Sequence, residues 1–218
     1  MKNEFLINSI GGCGSKYLIN QITIQSENEN LINCHAHVAS PLLIGSEKNK
    51  VVFVFGDLYL SLQSFFNRRS HITKLHGFTK NRVNSSGNKE WAKAHCKNIG
   101  GDCAPFDAGW ELIDYLRNGH DLYRANRFYN SWLSPDKLKE THYDVLYIKY
   151  EGLGANFNNV ANFLELEVNK PIEPFVERGS QKELFSLEEV SILEDIYGET
   201  QKKLESLPDT FTKTDILS

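Results

Sequence analysis

Five consecutive apolar residues, Val51-Val52-Phe53-Val54-Phe55, all β-branched or aromatic, stand between Lys50 and Gly56-Asp57. A strand sends its side chains alternately to two faces, so a continuously apolar strand must be covered on both. "KVVFVFGD" (50–57) therefore reads as a central parallel strand, with helices above and below it. "FLINSI" (5–10) and "YDVLYIKYEGL" (143–153) read as further strands, and "NLINCHAHVAS" (30–40) as a short strand or extended piece carrying His35 and His37.

Helical spacing follows each strand: "SKYLINQITIQ" (15–25), "LYLSLQSFFNRR" (58–69) and the amphipathic "NFNNVANFLEL" (156–166). "GWELIDYLRNG" (109–119) and "DLYRANRFYNSWLSPDKL" (121–138) read as two helices, and a capping box from Ser186 to Glu189 opens a last one. Residues 70–105 are polar and weakly periodic, the place for a long loop or mobile lid. The tail after Pro208 reads as loose. The alternation of strand and helix predicts an α/β sandwich whose ligand sits outside the carboxyl ends of the strands. The residues just after "FLINSI", "VVFVF" and "DVLYIKY" are expected to converge there.

With 218 residues, the chain has room for one domain with a core. A net charge of -4 argues against a nucleic-acid binder working by general basicity. No apolar run reaches about 18 residues, so no membrane span is expected, and "MKNEFLINSI" is too short for a secretory signal. Cys13, Cys34, Cys96 and Cys103 are scattered and read as free thiols of a cytoplasmic protein, with a Cys96–Cys103 disulfide as the alternative. His95, Cys96 and Cys103 lack a convincing fourth ligand for zinc.

The chemistry gathers at Gly11-Gly12-Cys13-Gly14-Ser15-Lys16. Glycines permit close backbone approach and positive φ, so successive N–H groups can form an anion nest, aided by the dipole of the helix that follows. A magnesium-dependent triphosphatase loop needs Ser or Thr after its lysine to ligate the metal, and Tyr17 stands there. A metal-free phosphate cradle fits better, although Asp57 leaves a magnesium reading open.

In order along the chain, four segments resemble the signatures of the sulfotransferase family, which uses 3′-phosphoadenosine 5′-phosphosulfate. Gly11 to Leu18 takes the place of its first loop, and "VVFVFGDLYLSLQSFF" that of its second signature, with Ser64 at the expected serine. Tyr150-Glu151-Gly152-Leu153 matches the third, and Arg178-Gly179 with Phe185 and Tyr197 the last. The resemblance implies a three-layer sandwich with a central parallel sheet, the P-loop NTPase-like sulfotransferase fold, as a single domain over 1–218. It implies sulfuryl transfer to a hydroxyl or amine on a small-molecule or glycan acceptor, with no metal. Gly12, Cys13, Gly14, Ser15 and Lys16 would hold the 5′-phosphosulfate. Ser64, Arg178 and Gly179 would hold the 3′-phosphate, while Tyr17 and Tyr150 would contact adenine. His37, or else His35, would be the base, and Lys16 the leaving-group cation.

Two positions depart from the family. Gly12 replaces its leaving-group lysine or arginine, and Gly56 its 3′-phosphate arginine; Lys16 and Arg68 or Arg69 are the candidates to restore those charges. The alternatives are a magnesium-dependent kinase-like phosphotransferase and an inactive nucleotide-binding member of the fold. Trp110, Tyr123, Phe128, Tyr129 and Trp132 line an acceptor cleft or, at helical spacing, form core.

Overall fold

The apolar run lies where its chemistry requires, in the middle of a sheet. The computed structural model describes residues 5–26, 34–64, 66, 93–105, 110–175 and 185–218. Strand β1 (Phe5–Ser9), β2 (His35–Ala36), β3 (Lys50–Phe55), β4 (Asp144–Lys149) and β5 (Thr210–Thr212) form one sheet in the order β2-β1-β3-β4-β5. The first four run parallel, with Val52 of β3 opposite Ile7 of β1 and Leu146 of β4. Every residue from Val51 to Phe55 is at most 1% exposed, so both faces of β3 are covered.

Helix α1 (Ser15–Ser26) follows β1, and α2 (58–64) follows β3. Later come α3 (93–98), α4 (Leu112–Leu116), α5 (Ala125–Trp132), α6 (Pro135–Lys139), α7 (Phe157–Leu164), α8 (Leu187–Ser206) and α9 (Lys213–Leu217). The capping box expected at the head of α8 is present: Glu189 N–H donates to Ser186 Oγ, and Ser186 N–H donates to the Glu189 carboxylate.

Three expectations are corrected. The chain after Pro208 is not loose: β5 pairs antiparallel with β4, and the sheet is therefore mixed rather than wholly parallel. Phe211 stands opposite Tyr147, their rings 4.5 Å apart and 2° from coplanar, and Lys213 Nζ donates to the carbonyls of Thr141 and Tyr143. The three residues "TFT" are too short for a periodicity to show. The expected helix over 121–138 is two, because Pro135 holds Ser134 extended and starts α6, whose first turn Ser134 Oγ caps. Within the span read as a loop, residues 93–98 are helical, with His95 and Cys96 buried; 70–92 lie outside the described residues.

Helix α5 covers the Phe53 side of β3. Phe53 stacks on Trp132 at 4.9 Å and on Phe128 at 5.6 Å, and Phe128, Tyr129 and Trp132 are wholly buried. These three are core and do not wall an acceptor cleft. All four cysteines carry free thiols. Among the described residues, no helix is long and apolar enough to cross a membrane.

Candidate functional site

Between β1 and α1 the backbone changes hand repeatedly. Gly11, Gly12 and Gly14 have φ of +97°, +74° and +71°, and Cys13 stands between the last two without a positive φ. Changes in the sign of φ can turn successive N–H groups toward one concavity, as in an anion nest. Ser9 pins the loop from inside: its Oγ accepts from Gly11 N–H at 3.2 Å and donates to Ser15 Oγ at 3.4 Å. Cys13 is buried, its Sγ 3.2 Å from Ser61 Oγ and from the Gly11 carbonyl oxygen, so only its backbone can serve a ligand. Lys16 is exposed in the first turn of α1.

The segments after β1, β3 and β4 meet at this loop. A Cβ on Gly12 would lie 3.2 Å from Ser61 Cα and carbonyl oxygen and 3.4 Å from Ser64 Cβ, on α2. One on Gly14 would lie 2.9 Å from the Tyr150 ring and 2.7 Å from Leu153. Gly12 and Gly56, the two positions where the resemblance expected basic residues, are both closely packed. Gly12 is left-handed and pressed against the α2 backbone, and a Cβ on Gly56 would stand 2.8 Å from Tyr150 Cβ. A lysine or arginine at either position would displace its neighbour. Arg68, Arg69, Arg178 and Gly179 lie outside the described residues.

Tyr17 and Tyr150 come together through a residue that sequence reading passed over, Phe175. Its ring lies 4.8 Å from Tyr17 and 5.2 Å from Tyr150, and it packs so close to Gly154 that a Cβ there would be 2.8 Å away. The Tyr17 hydroxyl donates to the Glu173 carbonyl at 2.8 Å, and burial, then the Glu173 carboxylate, raises its pKa. Residues 169–173 are strapped along α1 by two buried glutamines one turn apart. Gln25 Oε1 accepts from Asn169 and Lys170 N–H, and Gln21 Oε1 from Glu173 N–H. The Gln21/Gln25 spacing of four was the legible signal for this strap.

His37 and His35 flank the start of the loop. His37 Nδ1 is 2.7 Å from the Ser9 carbonyl oxygen, which can only accept, so Nδ1 carries the proton and Nε2 is the basic nitrogen of the neutral ring. The His35 ring lies 4.6 Å from the His37 ring, and the His95 ring 3.8 Å from it. His95 came from a weakly periodic stretch that gave no hint of this position. Its Nδ1 is hydrogen-bonded to the Tyr123 hydroxyl, while Cys96 Sγ donates to the Asp102 carbonyl and lies near the Cys103 thiol, which donates to the Lys93 carbonyl. No group of three or more His, Cys, Asp or Glu among the described residues is arranged to hold a metal ion.

Asp57, the residue weighed as a magnesium partner, caps α2, its Oδ1 accepting from Leu60 N–H at 3.0 Å. Beside it a cavity of about 210 Å³ is lined by Asp57, Glu151, Glu205 and Asp209 with Lys149 and Gly56. The carboxylates of this hollow would repel a phosphate. No family model, curated protein or solved structure matches the chain.

Proposed function

We propose that this chain is a sulfotransferase, moving a sulfuryl group from 3′-phosphoadenosine 5′-phosphosulfate to a hydroxyl or amine acceptor. The observation that carries the reading is the run of positive φ at Gly11, Gly12 and Gly14, broken at Cys13, set between a buried parallel strand and a twelve-residue helix. Ser64 and Tyr150, two residues of the expected nucleotide site, lie against that same loop. Tyr17 reaches Tyr150 through Phe175, a setting suited to a purine.

The chemistry asks the protein for position and charge more than for covalent help. The loop amides hold the phosphosulfate, and Lys16 supplies the cation that Gly12 cannot. His37 takes the acceptor proton at Nε2 while Ser9 holds Nδ1–H. The acceptor oxygen or nitrogen attacks sulfur in line, the S–O bond to the phosphate breaks, and 3′-phosphoadenosine 5′-phosphate leaves with the electron pair.

A thermal-shift experiment tests this. At a hundredfold excess over Kd, 3′-phosphoadenosine 5′-phosphate with a chelator present should add about 2.7 kcal/mol, or roughly 5–10 °C in a chain of this size. Stabilisation by ATP with magnesium alone would replace this reading with a kinase-like one. A shift with neither ligand would mark an inactive member of the fold.

A further inference from the structure

The row His35–His37–His95 holds more imidazole than one proton abstraction needs. His95 is 3% exposed on α3, and its ring meets His37 edge-on, with centroids 3.8 Å apart and planes at 71°. The Tyr123 hydroxyl, which leads into α5, donates to the Ile10 carbonyl at 3.4 Å and holds His95 Nδ1. Gly11 makes room for the His95 ring: a Cβ there would lie 2.8 Å from His95 Nε2 and 2.9 Å from Cε1. A tyrosine, a backbone glycine and a second histidine therefore fix one ring in place against His37.

We infer that His95 is the positioning residue for His37, and that the two imidazoles titrate as one coupled unit at the edge of the glycine loop. Two positive rings at this distance in a half-buried site repel strongly, so the first proton opposes the second. Among the described residues, His95 from α3 and His35 from β2 face His37, with Tyr123 bonded to His95 and the Ser9 carbonyl bonded to His37 Nδ1. Coupling keeps one ring neutral at a pH where a solitary imidazole is charged, while the edge-on contact fixes where Nε2 of His37 points. This rests on reading His37 as the base, but the coupling itself does not depend on which donor the loop binds.

The test is a pH titration of the histidine ring resonances by NMR on the full chain, without ligand. In the wild-type protein His37 and His95 should each follow two shared steps. In His95→Gln, His37 should lose the step it shares with His95, and its midpoint should move upward by roughly one pH unit. Single independent steps for both rings in the wild type would overturn the inference, whether or not the variant folds. So would an unmoved His37 in a folded His95→Gln protein. If sulfuryl transfer is detected, the acidic limb of kcat/KM should move by the same amount, which a merely structural role would not cause. Binding of 3′-phosphoadenosine 5′-phosphate, measured separately by thermal shift, decides the sulfotransferase reading. Its loss alongside shared titration steps would sink that reading and leave the coupled pair standing.

Discussion

Gly12 lies so close to Ser61 that a Cβ on it would be 3.2 Å from both the Cα and the carbonyl oxygen of that residue. The first turns of α2 therefore close the loop from one side, and the space where a basic side chain would stand is filled with backbone. Gly12→Ala should cost about 1–2 kcal/mol for the left-handed φ alone, with more for the contact. Urea unfolding measures it; an unchanged midpoint would mean that the loop is not packed in this way. Gly12→Lys should weaken the fold without restoring a catalytic cation.

The end of the chain is part of the sheet. Phe211 is 7% exposed and stacks on Tyr147, so Phe211→Ala should destabilise by about 3 kcal/mol. Removing residues 210–218 should cost more, since β4 then becomes an open edge and Lys213 no longer ties the carbonyls of Thr141 and Tyr143. Equal stability of the shortened and full chains would contradict the pairing.

What the sequence made legible was whatever repeats. Val51–Phe55 announced a strand covered on both faces, and Ser186 with Glu189 announced the head of α8. The convergence of the segments after β1, β3 and β4 followed from the parallel order of those strands. What escaped had no period. Thr210–Thr212 is a three-residue strand, the break at Ser134 was written in one proline, and His95 reaches His37 from a short helix in a polar stretch. The crowding around Gly12 and Gly56, where a Cβ would meet Ser61 or Tyr150, depends on residues far away in the chain and has no local signal.

Asp121 should give stability a recognisable pH dependence. Its carboxylate caps α5, accepting from Ala125 and Asn126 N–H and from the Tyr197 hydroxyl, yet burial outweighs these bonds and raises its pKa above 3.8. A carboxyl raised on folding binds its proton more tightly in the native state. Its contribution is therefore most favourable at low pH and declines as pH rises from the unfolded value through the folded one. The stability of wild type minus that of Asp121→Asn should fall across that window. A difference that grows with pH would reverse the assignment.

Phe175 joins Tyr17 to Tyr150, and its removal tests whether these rings act as one surface. Phe175→Ala should weaken 3′-phosphoadenosine 5′-phosphate by up to about tenfold, the value of one or two lost aromatic contacts. Calorimetry on a folded variant with unaltered affinity would remove the purine from this place.

Titration calorimetry with 3′-phosphoadenosine 5′-phosphate in the presence of a chelator asks directly what the glycine loop holds. Wild-type protein should bind one equivalent without metal, and Lys16→Ala, an exposed change that leaves the fold intact, should abolish that binding. Unchanged affinity in Lys16→Ala, or binding seen only for ATP with magnesium, would contradict the account.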